Sequence, residues 1–192
     1  MTSEDRWREL VRLREELEQT RGWSVSQRVL SLERTRFVFR RNWEDLHSRI
    51  GRFKSDPEYA LHTFGTVTDR SRWNEFLRDL DPPLLNYAAS ARALVDHSRN
   101  VSKAVLTGNA LDTYQEVVKV RFDGNPRSRF VVKLRDYMLH YELPITAGSF
   151  HWADSEAAVK AAITLSKAPL LTWDSWTREA RRSFWILTTT ST

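Results

Sequence analysis

The chain has 192 residues, 41% of them hydrophobic, with eight Trp and nine Phe, which is enough apolar material for the core of one domain. It contains no cysteine, which excludes disulfides and thiolate metal sites and fits a reducing cytoplasm. The net charge is +5, and the sequence shows neither a signal peptide nor an apolar run long enough to span a membrane. We therefore expect one cytoplasmic domain over residues 1–192 and no membrane partner.

Apolar periodicity predicts an all-α protein, an antiparallel bundle of four to five core helices with a long N-terminal helix. A first helix over 4–21 precedes the longest one, over 24–54, whose apolar residues recur at alternating spacings of four and three. Such a seam packs against another helix, either within the bundle or from a second subunit, and we favour the bundle. The positions of the seam are Val25, Val29, Leu32, Arg36, Phe39, Trp43, Leu46 and Ile50, and Arg36 alone interrupts its apolar character.

Helix caps and helix breakers divide the next part of the chain. Asp69 is a candidate cap for a short helix through Leu80, and Asp81 followed by two prolines is typical of the start of a new helix. The later predicted elements are an end to that helix at 107–109, a helix over 110–122, a turn over 123–126 and a helix over 127–144.

Beyond Pro144 we expect a small C-terminal appendage over 145–187, which leaves a core of about 24–144. An edge hairpin is predicted around a turn at 153–156, and a helix over 155–166 is the competing interpretation. A last helix then begins near Thr172 or Asp174, and the polar tail 188–192 is not expected to fold.

Positive charge is most concentrated on and just before the helix over 127–144. Residues 119–136 carry six basic and two acidic side chains, a distribution typical of a surface that binds a polyanion. A solvated basic face is the simpler alternative. Helical spacing predicts a core face and a second, polar face. The core face carries Phe130, Leu134, Tyr137, Met138 and Tyr141, and the polar face carries Arg129, Lys133, Asp136 and His140.

The string RDYMLH at 135–140 resembles the Arg-x(4–6)-His motif of HEPN domains, in which Asn, Asp or His usually follows the arginine. LRDYMLHYELP, together with NYAASARALVDHSR at 86–99, is similar to a subgroup of uncharacterised bacterial HEPN-like proteins over about residues 80–144. The resemblance implies a bundle of four or five core helices and metal-independent RNA cleavage without a cofactor. It also implies a homodimer whose two motifs face one cleft, and toxin–antitoxin or phage-defence systems with a cognate antitoxin protein.

Cleavage of RNA through its own 2′-OH needs a base that works near neutral pH and a cation for the phosphate. We assign His140 as general base or acid, Arg135 to the phosphate, and Asp136 to orient the imidazole through an i,i+4 hydrogen bond. The predicted RNA-binding residues are Lys119, Arg127, Arg129 and Lys133, with His97 and Arg99 if their helix packs beside His140. No metal ligands are predicted, since His47, His62 and His151 lack the spacing of a metal site.

Three observations keep other interpretations open. Arg41 to His47 and Arg92 to His97 also fit the motif spacing. On a straight helix Arg135 and His140 lie about 140° apart, so Arg135 must reach around, the helix must distort, or a second subunit must complete the site. A non-catalytic helical module that binds RNA or protein, and a structural dimer built on the seam, are the alternative functions.

Overall fold

A computed structural model describes residues 2–66, 68–144, 146–151, 160–178 and 180–181. Within these ranges the chain is mainly helical with one two-stranded antiparallel sheet, so the predicted fold class is confirmed. In chain order the elements are α1 (Ser3–Glu18), α2 (Arg21–Ser55), α3 (Pro57–Phe64), α4 (Ser71–Val105), α5 (Asn109–Val118), a π-helical turn (Lys119–Asp123), α6 (Pro126–His140), β1 (Thr146–His151), β2 (Lys160–Leu165) and α7 (Lys167–Leu171). No helix among the described residues combines the length and apolarity that crossing a bilayer requires.

The two longest helices, α2 and α4, form an antiparallel pair at the centre of the fold. Helix α2 packs against α4 of the same chain, as predicted for the bundle, and Leu32, Phe39, Leu46 and Ile50 of the seam are buried or half-buried. Val29 and Trp43 of the seam remain 43% and 44% exposed. Phe53 near the end of α2 stacks on Phe76 near the start of α4, with 5.2 Å between ring centroids. Further along the pair, the Asn42 side chain donates to the backbone carbonyl of Asn86.

The prediction that a new helix starts at Asp81 is wrong. Helix α4 is continuous from Ser71 to Val105 and contains Pro82 and Pro83 in its interior. A proline inside a helix costs about 3 kcal/mol, because it removes a hydrogen bond and crowds the preceding turn. Apolar packing on both sides of the prolines offsets this cost: Leu80 and Ala88 are both buried. Tertiary contacts therefore override the local signal for a helix start.

The C-terminal segment completes both hydrophobic cores of the fold. One core joins Phe53, Ala60, Trp73, Phe76 and Leu80 of the helices to Ala161 of β2. The other joins Ala88 and the buried face of α6 to Leu170, Trp176 and Ala180. The hairpin lies very close to α4, since a Cβ on Gly148 would lie 2.1 Å from the ring of Trp73. Glycine is therefore required where the β1 backbone meets that ring.

Residues 146–151 and 160–165 form the predicted hairpin, and the competing helix over 155–166 is wrong for its described part. Helix α7 precedes the predicted last helix. Beyond it the chain folds back, and the indole nitrogen of Trp176 donates to the carbonyl of Leu170. Helical backbone then resumes at Arg178. The predicted turn at 153–156, the last helix beyond 181 and the tail 188–192 lie outside the described residues.

Candidate functional site on the sixth helix

Helix α6 begins where the sequence predicts, because its first turn is well capped. The side chain of Asn125 accepts a hydrogen bond from the backbone N–H of Arg127, and Pro126 occupies the first helical position. Phe130, Leu134, Tyr137 and Met138 are buried, so four of the five predicted core positions are confirmed. Tyr141 is an exception and is 52% exposed, because the helix ends there and its periodicity no longer applies.

Tyr137 fixes the position of α6 against the rest of the fold. Its side chain is fully buried, and its hydroxyl donates to the carboxylate of Glu142, just beyond the helix. Burial, with the hydrogen bond to Glu142 as the next largest cause, raises the pKa of Tyr137 above its ordinary value. Phe130 stacks on Trp176, with 5.8 Å between ring centroids. The buried face of α6 is therefore tightly packed and holds the polar face of the helix in position.

Asp136 lies between two cations on the outer side of α6. The guanidinium of Arg135 donates to one carboxylate oxygen over 3.0 Å, and the ammonium of Lys133 lies 3.6 Å from the other. In the described part of the chain, no hydrogen bond joins Asp136 to His140, so the predicted i,i+4 contact does not form. Charge-assisted contacts with the two cations replace it, and these are stronger than a bond to a neutral imidazole.

Arg135 also has a donor that no protein group uses. Its Nε atom is buried and, among the described residues, has no hydrogen-bond partner. Leaving a buried donor unpaired costs about 1–3 kcal/mol, so such groups are rare in folded proteins and concentrate at functional sites. The guanidinium is held on one side by Asp136, and the side chain as a whole is one-third exposed (33%).

His140 is the last residue of α6, and its side chain is exposed. The rings of His47, His62 and His97 each contact a neighbouring side chain. Among the histidines whose side chains the structure describes, His140 is the one whose ring has no such contact. His140 is therefore the described imidazole that a substrate can reach most directly.

The geometry of α6 excludes two of the three ways in which Arg135 and His140 could form one site. The helix is continuous from Pro126 to His140, so it does not distort to bring the two side chains together. They remain about 140° apart around the axis. The guanidinium is bonded to Asp136 and does not reach around to the imidazole. A single copy thus presents the two groups on different sides of the helix.

Two of the predicted RNA-binding arginines converge on Asp123, the last residue of the π-helical turn. Arg99 of α4 donates to the Asp123 carboxylate over 3.0 Å, and Arg129 of α6 donates to its backbone carbonyl. Arg127 is exposed on the adjacent first turn of α6. From the sequence, Asp123 was predicted only as part of a turn. Its role as a bridge between α4 and α6 depends on tertiary packing and left no local signal.

The other predicted RNA-binding residues are placed differently. Lys119 is exposed in the π-helical turn, 3.9 Å from the carboxylate of Glu116. We predicted that His97 would lie beside His140 if their helices packed side by side. The two residues do not lie near each other. Helix α6 is 15 residues long and extends about 21 Å, with His97 near the level of its first turn and His140 at its far end. His97 instead faces α2, where its Nδ1 lies 2.7 Å from the hydroxyl of Thr35.

Two shallow cavities lie elsewhere on the protein. One lies between the hairpin and the α2–α4 pair, and the other lies beside His97; Arg135 and His140 line neither of them. Within the described ranges, no three His, Asp or Glu side chains converge so that they could hold a metal ion. The candidate site on α6 therefore coincides with neither of these cavities.

Comparison with known proteins finds no family model, no curated protein and no solved structure that matches this chain. The resemblance to HEPN domains therefore stays a prediction that depends on the residues at 86–99 and 135–144. What the fold and the site define is a class: a mainly helical protein with an exposed imidazole and a guanidinium–carboxylate pair on one basic helix.

Proposed function

We propose that this protein is an endoribonuclease of HEPN type, which acts as a homodimer and cleaves RNA through the RNA's own 2′-OH without a metal ion. The exposed, uncontacted imidazole of His140 at the end of a basic helix is the observation that carries the proposal. We assign the protein to the cytoplasm, where RNA is available and where the lack of cysteine is no handicap. A toxin–antitoxin or phage-defence role, with a cognate antitoxin, follows from the resemblance alone.

The proposed reaction uses few groups. His140 removes the proton from the 2′-OH, and the 2′-oxygen attacks the adjacent phosphorus. The bond from phosphorus to the 5′-oxygen breaks, and that oxygen leaves with a proton taken from water. Arg135 stabilises the negative charge that develops on the phosphate oxygens. Asp136 holds the guanidinium in place, which replaces its predicted role as a partner of His140. The products are a 2′,3′-cyclic phosphate and a 5′-hydroxyl.

In this proposal, a second copy of the chain supplies the group that faces the same phosphate as His140. Because α6 is regular, Arg135 and His140 of one copy do not face the same phosphate. When two copies face each other across a cleft, His140 of one copy can approach Arg135 of the other. A two-fold interface of this kind creates two equivalent composite sites.

The wild-type protein is expected to cleave structured RNA in the presence of EDTA. The fragments should carry 2′,3′-cyclic phosphate and 5′-hydroxyl ends, because the nucleophile is part of the substrate. Electrophoresis and mass spectrometry of the fragments measure this directly, with the same oligonucleotide in its 2′-deoxy form as the control. Cleavage of the 2′-deoxy form, or no cleavage of RNA by a folded dimer, would contradict the proposal.

A non-catalytic RNA-binding module is the second candidate, and the convergence of Arg99 and Arg129 on Asp123 favours it. Two guanidinium groups at the junction of α4 and α6 are suited to phosphates on either side of α6. Under both candidates we expect RNA binding to depend on this junction, whereas only the nuclease depends on His140.

Replacing both Arg99 and Arg129 with alanine is expected to weaken RNA binding uniformly across sequences. A plot of log K against log salt has a negative slope, and each lost phosphate contact makes that slope shallower by about 1. The slope of the double variant should therefore be shallower by about 2. Fluorescence anisotropy at several salt concentrations measures the slope. Arg12→Ala/Arg14→Ala is a matched control, since these arginines are exposed and pair with glutamates on α1. An unchanged slope in the Arg99/Arg129 variant would rule out this surface.

A further inference from the structure

The ring of His97 is held against α2 by a side-chain hydrogen bond. Its Nδ1 lies 2.7 Å from the hydroxyl oxygen of Thr35, and that oxygen lies 3.0 Å from the backbone carbonyl oxygen of Ser31. Because Nδ1 is engaged in this contact, Nε2 is the ring nitrogen left for a ligand.

A cavity of about 170 Å³ opens beside this ring, between the N-terminal half of α2 and the C-terminal end of α4. Leu32 and Val101 form its apolar wall. The polar groups around it are the guanidinium of Arg28, the hydroxyl of Ser31 and the amide of Asn100, together with His97. The cavity thus combines one fixed positive charge with three neutral or titratable hydrogen-bonding side chains.

The charge around the cavity favours an anion. No carboxylate lines it, and among the described residues Arg28 makes no ion pair. The acidic residues nearest in sequence are already engaged, because Glu33 pairs with Arg36 and Asp96 with Arg92. An anion that enters the cavity therefore meets an unneutralised guanidinium and no competing carboxylate.

We propose that this cavity is a binding site for a phosphate group, either free or as a phosphomonoester. The planar guanidinium of Arg28 fits two oxygens of one phosphate. Near pH 6 phosphate offers both acceptor oxygens and a hydroxyl donor, so it can pair with Nε2 of His97 whichever ring nitrogen holds the proton. Ser31 and Asn100 contact the remaining oxygens. The site is separate from α6 and does not depend on RNA cleavage.

Inorganic phosphate and a nucleoside 5′-monophosphate are the two probes, each titrated at constant ionic strength and followed through the imidazole proton signals. A saturable shift of the His97 signal that His47 and His62 do not share is expected. Arg28→Ala should weaken the affinity at least about tenfold, because a charge-assisted hydrogen bond is lost. His97→Ala removes the signal, so calorimetry should show the same loss of affinity in that variant. Tighter binding of the nucleotide would identify a phosphomonoester as the ligand, and equal binding would identify the free anion.

Arg34→Ala is the matched control, because Arg34 is an exposed arginine on the same helix, about 120° away from Arg28 around the axis. It should bind both probes as the wild type does. A shift that grows linearly without saturation, or that is equal at the exposed His47 and His62, would overturn the proposal. An unchanged affinity in Arg28→Ala would overturn it as well. Because no RNA is present, these outcomes are independent of nuclease activity.

Discussion

Replacing His140 with alanine is expected to reduce the rate of RNA cleavage by about 10²- to 10⁴-fold, the usual contribution of a general acid or base. The side chain is exposed and makes no contact within the described part of the fold, so its removal should leave stability within about 0.5 kcal/mol of the wild type. RNA affinity should also be nearly unchanged. Cleavage of one labelled RNA in EDTA, with a denaturation curve for each protein, measures both effects.

His47→Ala is the control for this experiment, because Arg41 and His47 on α2 also fit the Arg-x(4–6)-His motif. The ring of His47 lies against Trp43, with 5.0 Å between centroids, whereas the ring of His140 has no such contact among the described residues. We expect this variant to keep wild-type activity. If His47→Ala lost activity and His140→Ala kept it, the catalytic motif would have to be moved to α2.

Replacing Phe53 with alanine is expected to lower the free energy of unfolding by about 3–5 kcal/mol. Phe53 is fully buried and packs against the rings of Trp73 and Phe76, with centroid distances of 5.6 and 5.2 Å. Its removal leaves a cavity that these two rigid rings cannot easily close. Chemical denaturation followed by far-ultraviolet circular dichroism gives the value.

Phe37→Ala is the matched control for packing, since it removes the same side chain from the same helix at a position that is 58% exposed. Its stability should change by no more than about 0.5 kcal/mol. Similar losses in both variants would mean that the end of α2 near Phe53 is not the core that the structure describes.

Much of the fold was predictable because helical spacing and caps act over a few residues. The spacing of Phe130, Leu134, Tyr137 and Met138 correctly identified the buried face of α6. The prolines at 82 and 83 show the limit of such signals. A local rule that favours a helix start was outweighed by burial on both sides of the prolines, and burial depends on helices that are distant in sequence.

The arrangement of the candidate site was less predictable because each polar side chain has several partners within reach. Asp136 can contact Lys133, Arg135 or His140, and spacing alone does not decide among them. The structure selects the two cations. The link between His97 and Thr35 joins residues 62 positions apart, so only the packing of α2 against α4 could reveal it.

Mixed dimers test most directly whether RNA is cut at a site that joins His140 of one copy to Arg135 of the other. Chains carrying Arg135→Ala and His140→Ala, each with its own affinity tag, are co-expressed and purified as heterodimers. We expect each single-variant homodimer to be inactive and the heterodimer to recover about half of the wild-type cleavage rate, because one of its two composite sites is intact. A heterodimer as inactive as the homodimers would contradict the composite site, and so would an active homodimer of either variant.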